Sequence, residues 1–123
     1  MKLLTNTIFA LSILMLFTSC SRNTQINVEY EASMAVSEYN LSYLDESGEV
    51  INVRVNPDGA DDVWRCSFMA EEGDMVYISG KYTDPNSALR LSIKIDGKIY
   101  KSGYSKGDTL KYLVVSGVVP YEE

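Results

Sequence analysis

The chain has 123 residues, with 11 Lys and Arg against 17 Asp and Glu, no histidine, and a formal net charge of −6. The acidic balance makes nucleic acid and anionic lipid surfaces poor partners, because no basic patch offsets the repulsion. Without histidine the chain lacks the commonest general base and metal ligand, while an apolar share of 46% is enough for one core at this length.

Residues 1–19 read as a lipoprotein signal peptide. Lys2 precedes an apolar run from Ile8 to Phe17 that only Ser12 interrupts. The run is too short for a membrane span, which needs about 20 residues, and has the length of a secretory h-region. Small residues at Thr18 and Ser19 then lead to Cys20, whose thiol would carry a diacylglycerol after cleavage. At about 0.8 kcal/mol per buried methylene, several acyl chains hold a protein firmly to a membrane. Residues 20–25 form the lipidated tether. Five residues reach at most ~18 Å, and Ser21-Arg22-Asn23-Thr24-Gln25 lacks the acidic run of a surface-export signal. The expected location is the cell envelope, lipid-anchored at the outer membrane and facing the periplasm.

Residues 26–123 read as one domain made of strands. Val28, Tyr30, Ala32 and Met34 alternate with Glu29, Glu31 and Ser33, the pattern of a half-buried strand. Tyr39, Leu41 and Tyr43 repeat it. Asp45-Glu46-Ser47-Gly48 supplies a turn before Ile51, Val53 and Val55 alternate with Asn52 and Arg54, which predicts a hairpin. Asn56-Pro57-Asp58-Gly59 breaks the pairing. A strand over Trp64 to Ala70 would turn Trp64, Cys66 and Phe68 inward, with Cys66 a buried small hydrophobe. Glu71-Glu72-Gly73-Asp74 then turns the chain into a strand from Met75 to Gly80. After the Asp84-Pro85-Asn86-Ser87 loop, Leu89, Leu91, Ile93 and Ile95 alternate with Arg90, Ser92 and Lys94. Asp96-Gly97 is a type I′ hairpin signal leading into Lys98 to Tyr104, and a last strand runs from about Leu110 to Val115. Short strands separated by turns every 8–12 residues or so predict an immunoglobulin-like antiparallel β-sandwich of seven or eight strands.

Catalytic chemistry finds few candidates. With Cys20 acylated, Cys66 has no disulfide partner, and a nucleophilic thiol would need a cation or a base beside it. Only Arg65 is adjacent, on the opposite face. Asp58, Asp61 and Asp62 around Gly59 offer oxygen atoms without EF-hand spacing and read as the acidic end of a hairpin. No cofactor or metal site is expected. Of nine tyrosines, Tyr30, Tyr39 and Tyr43 fall in register with core positions, whereas Tyr77 lies opposite Val76 and Ile78. Tyr100, Tyr104 and Tyr112, with Lys101 and Lys111, form the only locally basic stretch together with Lys106, and are the candidate binding surface.

The order Val28-x-Tyr30, Leu41-x-Tyr43 with Gly48 beyond, Trp64-x-x-x-Phe68, Gly73-Asp74-x-Val76-Tyr77-Ile78-Ser79 and Ile93-x-Ile95-Asp96-Gly97-Lys98 resembles the MmpS-like family of small periplasmic transport-accessory proteins. The resemblance covers nearly all of the mature domain. It implies an immunoglobulin-like sandwich outside the cytoplasmic membrane and, by analogy with mycobacterial members, a transporter partner. A lipobox stands here in place of the mycobacterial transmembrane helix, and the C-terminal cysteine pair of those members is missing, as in a lipoprotein branch of Bacteroidetes type. The expected function is a membrane-anchored, non-catalytic accessory or interaction module of the cell envelope; the alternative is a glycan- or peptide-binding module.

Overall fold

The computed structural model describes residues 25–108 and 111–121. The expected leader, Cys20 with the expected tether up to residue 24, and Leu110 lie outside them. Eight strands follow one another: β1 (Ile26–Ser33), β2 (Tyr39–Leu44), β3 (Val50–Val55), β4 (Trp64–Ala70), β5 (Met75–Tyr82), β6 (Ala88–Ile95), β7 (Lys98–Lys106) and β8 (Tyr112–Val118). They form two antiparallel sheets of four, β4-β1-β6-β7 (sheet A) and β3-β2-β5-β8 (sheet B). The protein is the all-β antiparallel sandwich that the alternation predicts. Among the described residues no helix is long and apolar enough to cross a membrane.

The alternation fixes which side chains meet between the sheets. Val28, Tyr30 and Ala32 of β1, with Leu89, Leu91 and Ile93 of β6 beside them, face Leu41 of β2 and Val76 and Ile78 of β5 in one core. Gly80 leaves room for that core: a Cβ at this position would stand 2.5 Å from Leu89 Cδ2 and 3.2 Å from Leu41 Cδ2 and would push these leucines aside. Two buried tyrosines tie one sheet to the other. The Tyr30 hydroxyl donates to the Leu44 carbonyl at 2.8 Å and accepts the Tyr77 amide at 3.2 Å. The Tyr82 hydroxyl donates to the Gly107 carbonyl at 2.9 Å. Burial pushes the Tyr30 phenol up to about 12, against a smaller downward pull from the Tyr77 amide.

The open side of the sandwich, between the edge strands β3 and β4, is filled with rings. Tyr30 lies 5.5 Å from Tyr43 and 5.3 Å from Phe68, and Tyr43 lies 5.4 Å from Trp64, tilted pairs of the kind that add to simple burial. Because β4 has a neighbour on one side only, its inward row is half-buried. Cys66 is a free thiol, half-buried rather than buried as its spacing predicts, and it hydrogen-bonds to the Tyr43 side chain.

Three further differences are local. Met34 is not a core residue: β1 stops at Ser33, and Met34 turns away with φ 76° and 40% exposure. The last strand ends three residues beyond the expected Val115, at Val118. Between β6 and β7 the register shifts, so that Ile93 pairs with Lys101 and Lys94 with Ile99. That bulge leaves Tyr100 as the extra residue and turns it towards the core. The Asp96-Gly97 turn has φ of 50° and 83°, as a type I′ hairpin requires.

Candidate functional site

The candidate site is the outer face of sheet B. Strand pairing stacks its outward residues in rows across β3, β2, β5 and β8. One row is Asn52, Ser42, Ser79 and Val114, and the next is Arg54, Asn40, Lys81 and Tyr112. Below them, at the end of the sandwich where β1 begins, Val50 pairs with Leu44 and Met75 with Val118. Between these rows runs a groove of about 580 Å³ lined by residues of β2, β3, β5 and β8, with Tyr77 and Tyr112 on its wall.

Its opening follows from the Tyr30 tie. The β2–β5 ladder stops at Tyr43 and Ile78, and the next carbonyl and amide, of Leu44 and Tyr77, are taken up by the Tyr30 hydroxyl instead of by each other. Beyond that point a second cleft of about 420 Å³ shares Leu44 and Met75 with the groove and runs between Asp45, Glu46 and Asp74. Asp45 is committed to the turn, accepting hydrogen bonds from Ser47 and from the Glu49 amide, and these hold its carboxyl below the usual range.

The hydroxyls of Tyr77 and Tyr112 face each other at 3.5 Å. Ser79 is buried on the same face of β5, close enough to act on both phenols. The Ser79 and Tyr112 hydrogen bonds draw the Tyr77 phenol down, while the bond to Tyr77 pushes Tyr112 up. One shared hydrogen-bonding system therefore presents two aromatic edges to solvent. Towards the end where β5 begins the face is apolar, with Met75 66% exposed, Val50 59% and Val118 47%, and Val114 45% exposed beside Ser79.

The five residues of the expected binding surface do not lie together. Tyr112 belongs to the groove. Tyr104 is on the outer face of sheet A, with the Arg90 guanidinium 5.3 Å from its ring centre. Tyr100 packs against the core and donates its hydroxyl to the Val118 carbonyl at 2.9 Å; a Cβ on Gly117 would come within 2.7 Å of its ring. Lys101 lies 5.3 Å from the centre of the Tyr100 ring, and Lys111 pairs with Asp108 at 2.7 Å. Tyr77, Ser79, Asn40 and Lys81 were not expected at a site. They come from strands that are distant in sequence from Tyr112, and only the pairing of β8 with β5 brings them to it.

The acidic loop is bonded within itself, the Asp58 amide donating to Asp62 at 3.1 Å. Among the described residues no group of three or more metal-ligating side chains stands close enough to hold an ion. Compared with known proteins, the sequence matches no family model and no curated protein.

Proposed function

We propose that the protein is a lipid-anchored, non-catalytic interaction module of the cell envelope, tethered through Cys20 at the outer membrane on the periplasmic side, and that it docks on an envelope partner through the outer face of sheet B. The single observation that carries the docking role is the run of exposed apolar side chains on that face, Val50, Met75 and Val118 with Leu44 beside them. Contiguous apolar surface is kept in a soluble domain where something covers it. The MmpS-like resemblance supports a transporter as that partner. An immunoglobulin-like sandwich is supported by the pairings β1–β4, β2–β3 and β2–β5, which follow the B–E, C–C′ and C–F neighbours of such domains; the β6–β7 hairpin beside β1 is an addition of its own.

The test is a pull-down of the full chain from solubilised envelope. A specific partner captured by the wild type and by Ser102→Asp on sheet A, but lost with Met75→Asp, is the expected result. Equal capture by all three, or no specific capture, would count against docking through this face. Palmitate labelling that disappears in Cys20→Ala checks the anchor in the same strain.

A second role is favoured by the Tyr77–Tyr112 pair. Two adjacent phenols with a shared serine, at the wall of an open groove, suit the apolar ring faces and the hydroxyls or amides of a glycan or peptide.

A further inference from the structure

The groove wall carries a single charged side chain, and it is positive. Its walls include no carboxylate, although acidic side chains outnumber basic ones by 17 to 11. Lys81 stands in the wall, exposed, directly paired with Tyr112 on one side and with Asn40 on the other. The neighbouring cations are already committed: Arg54 to Glu38 at 3.1 Å and Lys111 to Asp108 at 2.7 Å. Among the described residues Lys81 forms no ion pair. An ammonium with no carboxylate beside it in the groove wall favours a ligand that brings a negative group over a neutral one.

The rest of the wall narrows the ligand further. A small inorganic anion would leave the aromatic edges and the apolar floor uncovered. A hydrocarbon would strip water from Asn40, Lys81 and the two phenols without replacing their hydrogen bonds, which costs free energy for every group left unpaired. What matches both is a ligand with flat apolar faces, many hydroxyls and one negative group. A volume of about 580 Å³ falls within the range that holds a ligand of a few rings.

We infer that the groove takes a saccharide bearing a carboxylate, its ring face against Tyr112 and Tyr77 and its carboxylate on Lys81. The inference rests on the second role proposed above, a ligand groove on sheet B, and adds to it the class of ligand. Asn40 is placed to give and take hydrogen bonds with ring hydroxyls. Lys81 is the residue that distinguishes acidic from neutral sugars.

The experiment titrates the full chain in detergent micelles with trigalacturonic acid and, separately, with its methyl ester, which has the same rings without the charge. Amide chemical shifts and calorimetry are read together. The acid is expected to shift Tyr77, Ser79, Lys81 and Tyr112. The ester should bind about tenfold more weakly, and Lys81→Gln should remove that difference by weakening the acid alone by about tenfold. Tyr112→Ala should abolish both. Equal binding of acid and ester, unchanged in Lys81→Gln, overturns selection by charge and leaves a ligand groove standing. Shifts outside the groove overturn the site. Binding of neither, together with silence towards a neutral trisaccharide and a peptide library, ends both the inference and the groove role beneath it.

Discussion

The two outer faces of the sandwich are made from the same kind of strand and treat their polar groups in opposite ways. On sheet A, Glu31 receives Lys94 at 2.8 Å and Arg65 at 3.2 Å, Glu29 lies 4.0 Å from Lys94, Ser92 meets Ser102 at 3.3 Å and Arg90 covers Tyr104. These groups pair with one another, while Ile99, Tyr104 and Met69 on the same face are 65%, 46% and 42% exposed. On sheet B, Lys81 has no such partner and Met75, Val50 and Val118 meet water. Both faces expose apolar area, and they differ in that the Glu29, Glu31, Arg65 and Lys94 side chains of sheet A are held in ion pairs while the Lys81 ammonium of sheet B is left to water. The contrast separates a face whose ion pairs add to the fold from a face whose groove cation has no ion-pair partner among the described residues.

Substitutions can break or sharpen that division. The largest effect is expected from Tyr30→Phe, which leaves the Leu44 carbonyl and the Tyr77 amide without their partner. A loss of about 1–3 kcal/mol in urea unfolding, with chemical-shift changes concentrated at Tyr77, would show that sheet A positions the groove on sheet B. A smaller loss, about 0.5–1 kcal/mol, is expected from Glu31→Gln on sheet A, and it should depend on pH. Burial raises the Glu31 carboxyl, but hydrogen bonds to Lys94, Glu29 and Arg65 outweigh it and the net shift is down from 4.5. Its stabilisation is present above that unfolded value and is lost as pH falls through the lowered folded value. The gap between wild type and variant at pH 7 should therefore close below pH 4.5. Glu29, raised by its hydrogen bond to Glu31 and then by burial, acts in the opposite sense, costing stability as it ionises. Smallest of all is Met75→Ser, expected to change stability by less than about 0.5 kcal/mol while weakening partner capture. A Met75→Ser loss as large as that of Glu31→Gln would erase the distinction between the faces.

The strands were legible because alternation reports directly which side chains point inward. Leu89, Leu91 and Ile93 are all fully buried, and Asp96-Gly97 has the positive φ pair that its sequence demands. Alternation says nothing about which strand lies beside which, and sheet neighbours decided the rest. Cys66 and Trp64 point inward as expected and yet stay half-buried, because β4 is an edge. Tyr100 and Tyr104 look like one exposed stripe in the sequence, and a single extra residue in β7 sends one to the core and the other to sheet A. Tyr77 reads as an outward strand residue with no role until β8 pairs with β5 and sets Tyr112 against it.

Gly80 gives the groove a further property. Its backbone is part of the groove wall on one side, and on the other its missing side chain is the space that Leu89, Leu41 and Leu91 occupy. The depth of the groove is thus inherited from the interior. A change in any of those leucines, invisible from outside, would be transmitted through one residue to the groove wall.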